Sequence, residues 1–86
     1  MNIPADPMEK IIAVALDTAG ISHTKSAVDL DFYLPEFDVH IECKRFHSPR
    51  ISQQMERADN VIVLQGEKAV KTFAAMLIAA RQSKQD

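Results

Sequence analysis

Three residues of the 86-residue chain combine types and spacing suited to chemistry: Asp31, Glu42 and Lys44. On a β-strand, side chains two apart share a face and lie about 6.5–7 Å from one another along it, so Glu42 and Lys44 point the same way. Asp31 joins them if the segments on either side of Pro35 form a hairpin whose loop runs from Pro35 to Asp38. Leu34 then faces Val39, and Asp31 falls opposite Glu42 with Cβ atoms about 4.5–5.5 Å apart. A loop one residue shorter matches Asp31 with Ile41 instead, so the chemistry depends on one register. Two carboxylates this close repel each other unless a cation stands between them, and a hard divalent ion with oxygen ligands meets that need. Mg²⁺, or Mn²⁺ in its place, is the expected ion, held by Asp31 and Glu42 with the main-chain carbonyl of Cys43 as a further ligand. Such an ion polarises a phosphodiester and lowers the pKa of an attacking water, while Lys44 orients that water or offsets transition-state charge. The reaction class these residues imply is phosphodiester hydrolysis.

Hydropathy periods show which elements must position these side chains. Met8, Ile11, Ile12, Ala15, Leu16 and Ala19 recur at helical spacing, predicting a helix over Pro7 to Ala19 with Asp6 as its cap, Pro7 in its first turn and Gly20 at its end. Ile21 to Lys25 fits either an edge strand or a loop. From Val28 to Lys44 the period is two: Leu30, Phe32 and Leu34 alternate with Asp29, Asp31 and Tyr33, then Val39, Ile41 and Cys43 with Asp38, His40, Glu42 and Lys44. One face of that hairpin is apolar, and the other gathers the acids, His40, Tyr33 and Lys44. Ser48 to Ala58 predicts a short connecting helix. The apolar run from Asn60 to Gln65, between Asp59 and Gly66, predicts a central strand reached by a right-handed crossover. Glu67 to about Gln82 predicts a last helix whose stripe of Val70, Phe73, Ala74, Leu77, Ile78 and Arg81, widened by Ala75, Met76, Ala79 and Ala80, exceeds one packing face. That excess points to a homodimer. The whole is an α/β fold: a four-stranded mixed sheet flanked by helices.

A chain of this length builds one core, so residues 1–86 are expected to form a single domain. Apolar residues at 47% and charged residues at 26% exclude the disordered class. The single cysteine, Cys43, permits no intrachain disulfide and suits a reducing, cytoplasmic compartment. No apolar run reaches the roughly 18 residues of a membrane span, and the first residues lack the basic-then-apolar pattern of an export signal. The net charge of −2 runs against the basic surplus of a phosphate-binding surface. Local clustering of Lys44, Arg45, Arg50 and Arg57, together with a bound cation, would offset it.

Asp31-Phe32-Tyr33-Leu34-Pro35, a short turn, and Ile41-Glu42-Cys43-Lys44 resemble the signature of the PD-(D/E)XK nucleases, a superfamily that includes restriction enzymes, very-short-patch repair endonucleases and Holliday-junction resolvases. The element order is similar too, and the resemblance runs from about Met8 to Leu77. It implies a restriction-endonuclease-like core and Mg²⁺-dependent cleavage of DNA. Asp31 and Glu42 become metal ligands and Lys44 the catalytic lysine. Some members add an acid from the first helix, here Glu9, and a glutamine from the helix after Glu-x-Lys, here Gln53 or Gln54. Since no target-recognition insertion is present, the expected activity is that of a structure-directed or weakly sequence-specific endonuclease. A binding or assembly module that keeps the fold without turnover is the alternative, and an unrelated small α/β dimer with an incidental acidic face is a third.

Plainer readings stand beside these. Acid-bearing alternation also marks a solvated sheet face. Asp29 and Asp38 fit turns or strand ends better than ligands. His40 shares the acidic face, either against substrate or metal or as the cross-strand partner of an acid. His23 and His47 carry no signal. Cys43 belongs to the apolar face as a small buried residue rather than a nucleophile. Gly66 before a helix lacks the Gly-Lys-Ser/Thr ending of a phosphate loop.

Overall fold

Asp6 begins the first helix in the expected way. Its Oδ1 accepts the main-chain N–H groups of Met8 at 2.8 Å and Glu9 at 3.2 Å, satisfying donors that a helix start leaves without partners. Helix α1 spans Pro7–Ala19. It ends where Gly20 turns left-handed at φ 72°, so that the Gly20 N–H reaches Asp17 O and the Ile21 N–H reaches Leu16 O. The Arg81 guanidinium lies beside this end, 3.7 Å from where a Cβ on Gly20 would sit. It supplies the cation that α1 lacks in its own last turn.

The computed structural model describes residues 6–45 and 58–84, with side chains as far as Arg81. Strands β1 (Phe32–Leu34), β2 (Val39–Lys44) and β3 (Val61–Gln65) and a second helix, α2 (Glu67–Lys84), complete the described elements. The predicted connecting helix of residues 48–58, with Arg50, Gln53, Gln54 and Arg57, lies outside the described residues except for Ala58, as does His47.

β1 and β2 pair antiparallel as Phe32 with Ile41, Tyr33 with His40 and Leu34 with Val39, which is the register of a four-residue loop. Asp38 closes that loop at φ 52°, a conformation Asp tolerates because its short side chain bonds locally. β2 and β3 run parallel, Ile41 beside Ile62 and Glu42 beside Val63.

Three expectations about the sheet are corrected. Among the described residues the sheet has three strands rather than four, in the order β1-β2-β3. The edge segment contributes only one bridge, Thr24 to Tyr33, and Asp29 at φ 65° breaks the period-two run, so β1 begins at Phe32 rather than near Val28. β2 is therefore the central strand of the described sheet, and β3, expected there for its unbroken apolar run, pairs only with β2.

The core lies between the two helices and the apolar sheet face. Ile12 and Leu16 from α1, Leu30 from the segment before β1, Ile41 from β2 and Val70 from α2 are its fully buried side chains. Burying such a residue contributes about 1.5–3 kcal/mol, which makes this face the main stabiliser of a small domain. Phe73, Leu77 and Ile78 of α2 pack against it half-buried, whereas Val14 and Met76 stay exposed.

Candidate functional site

The second face of β2 carries His40, Glu42 and Lys44. By register their neighbours on β3 are Val61, Val63 and Gln65, and Tyr33 of β1 lies beside His40. On a merely solvated face Glu42 would be open to water, yet it is 3% exposed. A carboxylate rarely occupies such a position without a partner. Its partner is Lys44, whose Nζ lies 3.0 Å from Glu42 Oε2 and remains partly exposed.

Asp31 sits one residue ahead of β1, where the ladder with β2 has run out. Its Oδ2 accepts the Cys43 N–H at 2.7 Å, so a side chain takes the donor that another residue of β1 would have taken. The Asp31 and Glu42 carboxyls also come within hydrogen-bonding reach of each other. Burial first, then the charge of Glu42 and their mutual contact, push the Asp31 carboxyl up to about 7, against the lowering effect of the Cys43 N–H. Near neutral pH the Asp31 carboxyl is therefore close to half-protonated.

Glu9, in the first turn of α1, is raised by burial and then by the charges of Asp6 and Glu42, with Lys25 and Lys44 acting the other way. It also acts on Asp31, so the helix start lies within electrostatic reach of both carboxyls. Among the described residues no three His, Cys, Asp or Glu side chains converge closely enough to hold an ion by themselves. An ion here would depend on Asp31, Glu42, the Cys43 carbonyl and water, with Glu9 acting through its field. The Cys43 thiol is half-buried and pushed up to about 12, by burial first and then by Asp31, Glu9 and Glu42, so it stays protonated and inert.

His40 sits against Ser26 and Tyr33. Its Nδ1 lies 2.8 Å from Ser26 Oγ, and its ring packs on Tyr33 at a centroid distance of 4.7 Å. Tyr33 in turn donates to Asp38 Oδ1 at 2.7 Å, and Asn60 donates through its amide to the Asp38 carbonyl. Sequence reasoning missed Ser26, because a lone serine in a polar stretch carries no periodic signal.

Charged residues of both signs stand where the end of β2 meets the start of α2. The Gly66 N–H donates to Lys44 O at 2.7 Å, bringing the first turn of α2 against the end of β2. Arg45 acts electrostatically on Glu67, and Lys71 pairs with Glu67 at 2.7 Å. Glu67, Lys68, Lys71, Thr72 and Ala75 line a shallow concavity on the surface of α2.

Comparison with family models, curated proteins and solved structures finds no match to this chain. Among the described residues no helix is long and apolar enough to cross a membrane.

Proposed function

We propose that the chain is a metal-dependent endonuclease of the PD-(D/E)XK type that hydrolyses DNA phosphodiester bonds, directed by DNA structure or weakly by sequence. The observation that carries this reading is the pairing of a half-buried Asp31 carboxyl with the buried carboxyl of Glu42, with Lys44 on Glu42. Nothing in the folding of a small sheet requires two acids to be brought together out of water, where their charges disfavour the compact state. A site that takes a divalent cation turns that cost to use.

Asp31, Glu42 and the main-chain carbonyl of Cys43 would hold Mg²⁺ or Mn²⁺, and two carboxylates with waters completing the shell suit Mg²⁺. The ion would supply polarisation of the phosphodiester and acidification of the attacking water. Asp31 gives up its proton on loading, since only the carboxylate is a ligand. Lys44, now paired with Glu42, would orient the water or offset charge on the phosphate once the ion supplied the positive charge beside Glu42. Lys68, with Arg45 and Lys71 once phosphate displaces Glu67, would offer cations to DNA phosphates on the α2 surface. A homodimer packed through α2, whose Met76 is 63% exposed, would present two sites to two strands.

One observation favours the second reading, a binding or assembly module without turnover: Lys44 already compensates Glu42 at 3.0 Å. A cleavage assay on linear, nicked and branched DNA, with Mg²⁺ and with EDTA, separates the two. Mg²⁺-dependent cleavage of any of the three is the expected result. Binding without cleavage under every condition would replace the nuclease reading with the module.

A further inference from the structure

Asp31 owes its position to something other than the sheet. β1 is only three residues long and begins after Asp31, and Asp29 just before it is left-handed, outside the strand conformation. The segment that delivers Asp31 must therefore be fixed by contacts of its own. Thr24 exchanges two main-chain bonds with Tyr33, at 3.0 and 2.8 Å, and Leu30 is fully buried in the core. Between those anchors stands Ser26, a polar residue only 5% exposed. Its Oγ accepts the Val28 N–H at 3.2 Å and lies 2.8 Å from His40 Nδ1. Donation of the hydroxyl proton to Nδ1 satisfies serine, histidine and the Val28 amide together.

His40 is well placed to receive that bond. Its N–H is tied to Asn60 O at 2.9 Å, and its ring rests on Tyr33, which is itself held by Asp38. His40 and Glu42 share a face of β2, about 6.5–7 Å apart. The Ser26 bond therefore crosses from the loop to the strand one step from the buried carboxylate.

We propose that Ser26 and His40 are positioning residues: their hydrogen bond clips the loop between Thr24 and Leu30 across β2 and so sets the Asp31 carboxylate against Cys43 and Glu42. The clip itself is a statement about structure. Its value for metal binding rests on the nuclease reading, as polar groups behind a first ligand shell commonly tune affinity tenfold or more.

Two arms of one experiment keep the two claims apart. The first uses the wild-type chain and the variants Ser26→Ala, Ser26→Thr and His40→Ala, without metal, and follows amide exchange by NMR. Loss of the clip should cost the Cys43 N–H about tenfold or more of its protection, while Ile41, inside the β1–β2 ladder, keeps its own. Ser26→Thr, which retains the hydroxyl, should restore Cys43. The double variant Ser26→Ala/His40→Ala should be no worse than either single one, since both changes remove the same bond. Unchanged Cys43 protection in Ser26→Ala overturns the proposal. So does parallel loss at Cys43 and Ile41 in both single variants, which would make the bond a general contact of the fold. The second arm titrates Mg²⁺ against thermal stability, and Ser26→Ala should weaken the apparent affinity about tenfold or more. Absence of any Mg²⁺ effect in the wild-type chain sinks the nuclease reading and leaves the exchange result standing.

Discussion

Replacing Asp31 by asparagine tests the carboxyl pair through stability as well as activity. In the wild-type fold Asp31 titrates near 7, against 3.8 for the free side chain, a difference of about three units. At about 1.4 kcal/mol per unit the ceiling is roughly 4 kcal/mol. Asp31 is only half-buried, and solvent screening brings this to about 2 kcal/mol. The sign follows from proton counts. Between pH 4 and 7 the folded chain holds a proton on Asp31 that the unfolded chain has lost, so wild-type stability falls as pH rises through that window and levels off above it. The substituted amide does not titrate. Its oxygen still accepts the Cys43 N–H and its N–H₂ can donate to Glu42. In EDTA, Asp31→Asn should therefore match wild type near pH 4 and exceed it by about 2 kcal/mol at pH 8, a rise in melting temperature of roughly 8–16 °C for a domain of this size.

Mg²⁺ should reverse the order. At a hundred times its dissociation constant a ligand adds about 2.7 kcal/mol to the wild-type fold, and the variant, short of one carboxylate, should gain little. Thermal melts at both pH values, with EDTA and with Mg²⁺, beside a cleavage assay, provide the measurement. Equal melting of the two proteins in EDTA at pH 8 would refute the argument from the carboxyl pair. Equal stabilisation of both by Mg²⁺ would remove Asp31 from the metal site.

Lys44→Ala leaves the buried Glu42 carboxylate without its cation and should lower stability in EDTA by about 2 kcal/mol, part of which Mg²⁺ restores while cleavage stays lost; a variant that cleaves like wild type would dismiss Lys44 from the chemistry. Light scattering at micromolar concentration should give the mass of two chains, and Met76→Glu should give one; a wild-type monomer rules out the α2 interface. Lys68→Ala/Lys71→Ala should weaken DNA binding alike across sequences and flatten its salt dependence by about two units of slope, without changing Mg²⁺ affinity, and an unchanged slope would place the phosphates elsewhere.

What could be read from the sequence divides along a physical line. Local signals carried through: the bounds of α1 follow from the Asp6 cap and the left-handed Gly20, and the pairing of Leu34 with Val39 follows from two period-two runs around one loop. Strand number and order did not follow, because they depend on which segments find partners. The run from Val61 to Leu64 is apolar enough for a central strand, but hydropathy records burial rather than which neighbour supplies it. Val28 to Asp31 has the alternation of a strand and is nevertheless a turn. The alternation there comes from one core residue, Leu30, flanked by acids with other tasks, Asp29 in a left-handed turn and Asp31 on the Cys43 amide.

The site divides in the same way. Glu42 and Lys44 share a face by the pleat alone, and a sequence shows that directly. Asp31 reaches them from outside the ladder, with its side chain standing in for the main chain of a strand that begins only at the next residue. Such a substitution has no periodic trace, and neither has the serine that holds the loop in place. A regular β1 running through Asp31 would bring the Leu30 main-chain oxygen to Cys43 by register and leave the carboxylate unanchored. The late start of the strand is therefore what lets the acid turn inward against Glu42, and the broken pattern belongs to the site rather than to a defect of the sheet.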